Sequence, residues 1–137
     1  MMQPKKYIYI LLQCIWGLPQ TLLGALLFLR YSKAAHTRFR GAVMTFWPRR
    51  GGVSLGLFTF VPDEANEPSP EKLSSLAAHE YGHTLQSLML GPLYLLIVGI
   101  VSFLWANLPF FRRLRRERGI PYSRCYTEKW ADRLGGA

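Results

Sequence analysis

Residues 70–90, PEKLSSLAAHEYGHTLQSLML, carry the pattern that decides the fold. Ser69 stands before them as a helix cap, Pro70 suits the first helical position, and Glu71 faces the positive end of the helix dipole. Gly91-Pro92 supplies the stop signal. One helix over residues 70–90 is therefore expected, with His79-Glu80-Tyr81-Gly82-His83 at its centre. Residues four apart share a helix face, so His79 and His83 can each present a ring nitrogen to one zinc ion. Glu80 is then placed to take a proton from a metal-activated water rather than to bind the metal. The plain alternative is two histidines on a polar helix face.

A hydrolytic zinc site needs a third protein ligand. His36 lies in a basic stretch far upstream and reads as an interfacial side chain. A carboxylate is the better candidate: in Thr127-Glu128-Lys129-Trp130-Ala131-Asp132, Glu128 and Asp132 again fall on one helical face. Pro121 to Ser123 supply start signals for this helix and Gly135-Gly136 a stop. Charge pairing with Lys129 and Arg133 is the competing explanation of the two acids.

Together the two helices resemble the gluzincin metallopeptidases, in which HExxH is followed at a distance by a helix carrying ExxxD. Here these are HEYGH at 79–83 and EKWAD at 128–132. The alanine before the aspartate resembles the ExxAD of the CAAX-prenyl-endopeptidase family and of the single-domain minigluzincins. The resemblance implies His79, His83 and Glu128 as zinc ligands and Glu80 as general base. It makes Asp132 the acceptor of a ligand histidine's ring N–H, that of His79, fixing its tautomer. It also implies that residues 53–61 form an edge strand on which an extended substrate lies, with Val53, Leu55 and Leu57 as substrate-contacting positions.

The departures from that pattern concern the oxyanion. Larger gluzincins carry oxyanion-binding residues after the glutamate helix, whereas five residues follow Asp132 here. Tyr122, Arg124 and Tyr126 are the available substitutes, or a partner chain supplies the donor. A Cys125 thiolate could compete for zinc, although a buried free thiol is the simpler reading.

The chain carries a net charge of +9, which suits nucleic acid or an anionic membrane, and the placement of the charges decides between them. No charged residue occurs over residues 7–29, about the length of a membrane-crossing helix. Lys5 and Lys6 precede this run, while Arg30, Lys33, Arg38, Arg40, Arg49 and Arg50 follow it. No cleavage signal follows, so residues 1–30 read as an uncleaved anchor that spans the bilayer; Gln13, Gly17, Pro19 and Gln20 interrupt it, which allows a kinked or half-inserted helix, and lying in the interface is the alternative. The charge excess after it places residues 31–137 in the cytoplasm. A second apolar stretch, residues 93–111, precedes five arginines. A single crossing there would part HEYGH from EKWAD, so it is expected to lie in the interface, dip and return, or pack as a core helix, with a bend near Asn107 and Pro109.

Residues 41–61 hold two β-type runs around Pro48-Arg49-Arg50-Gly51-Gly52, a hairpin signal. Aromatic content and apolar surface exclude disorder, and two cysteines exclude a disulfide scaffold. No nucleic-acid recognition motif is present. The expectation is an α+β, mostly α, zincin-like domain with a β-hairpin or edge strand and an N-terminal membrane helix. It would act as a membrane-associated zinc metalloendopeptidase, with one Zn2+ per chain, on peptide or protein substrates near the bilayer. The other reading is a membrane protein with a structural or vestigial zinc site that acts through protein binding.

Overall fold

The computed structural model describes residues 4–136. It is α+β and mostly helical, with one four-stranded sheet. The apolar N-terminal run forms two helices rather than one. Helices α1 (Pro4–Ile15) and α2 (Leu18–Arg30) meet at Trp16-Gly17 with a bend of 95°. Pro19 falls in the first turn of α2, where its missing N–H removes no helical bond. At 1.5 Å per residue each helix spans roughly 20 Å, short of a hydrocarbon core of about 30 Å. Among the described residues no single helix is long and apolar enough to cross a membrane, although the bent pair does pass by length and composition.

The sheet has strand order β1-β2-β4-β3. Strands β1 (Ala35–Phe39) and β2 (Ala42–Trp47) are antiparallel and joined at Arg40-Gly41, where both residues have positive φ (52° and 98°). This combination is that of the two-residue turn whose twist matches its strands. Strand β3 (Val53–Leu55) turns at Gly56 into β4 (Phe58–Pro62), which pairs parallel with β2. The expected hairpin around residues 48–52 is therefore not formed, because β4 lies between β2 and β3. The reason lies in burial: Phe60, Val61 and Pro62 are fully buried and take the interior place. Only residues 53–55 keep the edge. Leu57, expected on that edge, sits in the turn and packs with Tyr9 and Ala42 in the core.

Helix α3 (Pro70–Leu90) begins at Ser69, whose hydroxyl accepts from the Lys72 amide, and ends at Gly91 with φ 54°. It packs on the sheet through Ala77 against Met44 and Val61, and through Tyr81 and Leu85 against the Tyr9 cluster. The second apolar stretch is broken into a 3₁₀ turn, a π-helical stretch (Leu95–Gly99) and helix α4 (Ile100–Asn107). Helix α5 (Pro109–Arg118) follows, and the pair bends by 64° at Leu108. The residue before a proline avoids helical ψ, and Leu108 is extended accordingly. The chain then returns to lay helix α6 (Tyr126–Gly135) along α3. Arg40 donates to the Gly135 carbonyl at 2.9 Å, tying the end of α6 to the β1–β2 turn.

Candidate metal centre

Helices α3 and α6 approach along a seam of small residues. A Cβ on Gly82 would lie 1.8 Å from the Ala131 carbonyl oxygen, and one on Gly135 would lie 1.8 Å from that of Ala78. Only glycine fits at either place. This close approach carries Glu128, in the first turn of α6, over His79 and His83 of α3.

Glu128 Oε2 lies 2.7 Å from His79 Nε2 and 2.9 Å from His83 Nε2. One ligand atom from each of the three residues falls within 4.8 Å of the others, and all three are buried. The hydrogen bonds behind the rings settle the tautomers. His79 Nδ1 donates to Asp132 Oδ1 at 2.5 Å, since a carboxylate can only accept. His83 Nδ1 lies 2.7 Å from Gln86 Oε1. The Gln86 amide nitrogen donates to the Thr127 carbonyl at 2.9 Å, so its oxygen must face the ring and His83 Nδ1 is the donor. Both Nε2 atoms of the neutral rings therefore turn lone pairs toward a carboxylate oxygen. Three acceptors converging in a buried space require protons or a cation between them. The donor set, two imidazoles and one carboxylate with oriented rings, fits a bound divalent metal ion.

Without a metal, protons fill this role. Burial alone would lower the histidines' pKa, but Glu128, Glu80 and Asp132 outweigh it and push His79 up to about 9. His83 rises too, against its deeper burial, through Glu128 and Glu80. Burial raises the Glu128 carboxyl, yet its hydrogen bonds to the two histidines hold it well below the usual carboxylate range.

Glu80 is not part of this triangle. It is buried, with Oε2 accepting from Ser54 Oγ at 2.6 Å, and Ser54 Oγ also lies 2.7 Å from the Glu80 carbonyl oxygen. Desolvation raises its pKa, while the two histidines and Ser54 oppose that rise. Gly52 passes directly over the carboxylate: a Cβ there would lie 2.7 Å from Oε1. Glu80 and His79 line a cleft of about 450 Å³ with Gly51, Gly52, Tyr122 and Asp132, a volume in the range of ligand sites. A larger open groove of about 1240 Å³, between the end of α2, the loop from residue 63 and the first turn of α3, contains none of the three donors.

Of the residues singled out from sequence, His79, His83, Glu128, Asp132 and Glu80 are brought together. Val53, Leu55 and Leu57 do not line the cleft, where the chain instead presents Gly51 and Gly52. The Ser54 carbonyl of β3 already accepts from the Tyr94 hydroxyl at 3.1 Å. His36 bonds Thr45 and the Ser32 carbonyl, and Cys125 contacts Thr127. Tyr126 reaches the Ile97 carbonyl. Tyr122 is the one expected oxyanion substitute at the cleft, with its hydroxyl 3.1 Å from Glu128 Oε1. Burial and that carboxylate raise its pKa, so it stays a proton donor. Sequence reading missed Gln86, Ser54 and Gly82. Only Gln86 had a legible signal, since it stands three residues after His83 on the same face.

No protein-family model, curated protein or solved structure matches this chain.

Proposed function

We propose that the protein is a membrane-associated zinc metalloendopeptidase of the gluzincin type. The observation that carries this reading is the pairing of a buried His–His–Glu acceptor triangle with a fourth group, Glu80, that is held out of the triangle yet opens onto the same cleft. A purely structural metal site has no use for that additional carboxylate.

His79, His83 and Glu128 would hold the ion, which when bound supplies a Lewis acid for a scissile carbonyl and eases deprotonation of water. Asp132 and Gln86 keep both Nδ1 atoms protonated and so direct both Nε2 lone pairs to one point. Glu80, raised by burial and steadied by Ser54, takes the proton of the attacking water and returns it to the leaving amine. Tyr122, which lines the cleft and whose hydroxyl donates to Glu128, would be the donor to the developing negative charge. Gly51 and Gly52 leave the main chain exposed along the cleft wall for an extended peptide.

The membrane part of the reading is supported by the apolar outer faces of α1, α2 and α4, and the arginine excess beyond them is what supports a cytoplasmic side for the cleft. The test is metal content and peptide hydrolysis for the purified chain and its Glu80→Gln variant. Both should bind about one zinc, and only the unaltered chain should hydrolyse peptides. A zinc-loaded, unaltered chain that hydrolyses nothing would assign the site to structure and the protein to binding. Activity surviving Glu80→Gln would remove Glu80 as the base.

A further inference from the structure

The polarity of α1 and α2 is inverted relative to a soluble protein. Their polar side chains face inward: Gln13 and Gln20 are 0% exposed, and Thr21 is buried. Gln13 donates to the Thr84 carbonyl and accepts from Ser87; Gln20 donates to Ser87 and to the Gly91 carbonyl; Thr21 donates to the Gln13 carbonyl. Their large apolar side chains face outward, with Ile15, Leu26 and Leu29 each about two-thirds exposed (68%, 65% and 65%). Trp16, at the joint, lies against Gly91, where the second apolar stretch starts, so the two apolar surfaces adjoin at the end of α3. Along that second stretch Leu96 and Phe103 are exposed to a similar degree.

We infer that α1 and α2 lie flat in one leaflet of an anionic bilayer as an L, and do not cross it. This rests on the membrane attachment proposed above and not on the zinc chemistry. Two helices at 95° cannot both follow the membrane normal, and each is too short to cross alone. They can both lie in the plane of the interface, with their buried glutamines turned to the protein and their leucines to the acyl chains. The charge pattern selects lipid over an apolar protein partner. Arg30 and Lys33 follow closely on the apolar run of the first pair, and exposed Arg112, Arg113, Arg116 and Arg118 lie on α5 just after the second apolar stretch, as headgroup contacts require.

The test uses the full chain made in the presence of sealed vesicles of mixed phosphatidylcholine and phosphatidylglycerol. With Cys14 and Cys125 replaced by serine, single cysteines at Lys5, Lys33 and Arg118 should all be labelled by an impermeant maleimide from the outside. Fluorophores at Leu11 and Leu23 should both be quenched by lipids brominated near the headgroup. Arg112→Ser and Arg116→Ser should each weaken partitioning by about fivefold. Labelling of Lys5 and Lys33 from opposite sides would overturn the in-plane arrangement while leaving membrane attachment standing. Failure to bind vesicles at all, with Leu11 and Leu23 covered by a second copy or another protein, would overturn both and leave the zinc chemistry untouched.

Discussion

Helix α3 borders two polar interiors of different kinds. On the α6 side His79, His83 and Glu128 are ionisable and converge as acceptors, so they are incomplete without protons or a cation. On the α1–α2 side Thr84 and Ser87 meet Gln13 and Gln20 through neutral donor–acceptor pairs, and the Gln20 Oε1 and Tyr9 hydroxyl left without partners there are scattered and uncharged. The difference teaches how to tell a site from a joint. Burial of polar groups is common to both, and what separates them is whether ionisable acceptors converge on one point.

Removing a converging acceptor should have the largest effect. Glu128→Ala should abolish zinc binding and bring hydrolysis to background, as read by metal analysis and peptide assay. Full zinc retention would mean the triangle is not a metal site. Next in size is Gly82→Ala, whose added methyl meets the Ala131 carbonyl and must push α6 away. Roughly 3 kcal/mol of stability should be lost in denaturant unfolding, together with most metal affinity. Asp132→Asn and Gln86→Ala, which act only through ring orientation, should each weaken zinc affinity by about 10- to 100-fold in a competition titration. Gln13→Leu strikes the neutral interior instead. It should cost about 1–3 kcal/mol by leaving Ser87 with a lost partner, with zinc affinity unchanged. A change in metal affinity there would show that the two interiors are not independent.

The smallest effect is in pH. His79 has its pKa raised from 6.5 to about 9 in the folded protein. Its contribution to the stability of the metal-free protein is therefore complete below pH 6.5 and lost as pH rises through about 9. Zinc needs both rings neutral, so its affinity should strengthen over that same window. Thermal unfolding in chelator should show a falling midpoint from pH 6.5 to 9, and the gap between zinc-loaded and chelated protein should widen. A gap independent of pH would mean that no histidine proton is displaced.

The site was legible because its signals are local: caps at Ser69 and Gly91 define α3, and two i, i+4 pairs place the acids and histidines. The bend near Pro109 was legible for the same reason. The sheet was not, because strand order depends on which run is buried most, and nothing near residues 48–52 reveals that β4 will insert beside β2. Reading residues 7–29 as one apolar run also hid their structure. Gln13 and Gln20 read as interruptions, whereas they are the side chains that dock on α3. A hydropathy average cannot distinguish a polar blemish from a polar contact surface.

His83 and Glu128 stand 45 positions apart along the chain, with the whole bent apolar stretch between them. An ion held by both would join these distant positions in the folded state and not in the unfolded one. Binding only the folded chain, it would stabilise by mass action, about 4 kcal/mol at free zinc a thousandfold above its Kd. Its removal should therefore be felt well beyond the ligands. On chelation, amide exchange should quicken together across residues 91–135, the looped segment and α6 behaving as one detachable unit, while the β1–β2 hairpin holds its rate.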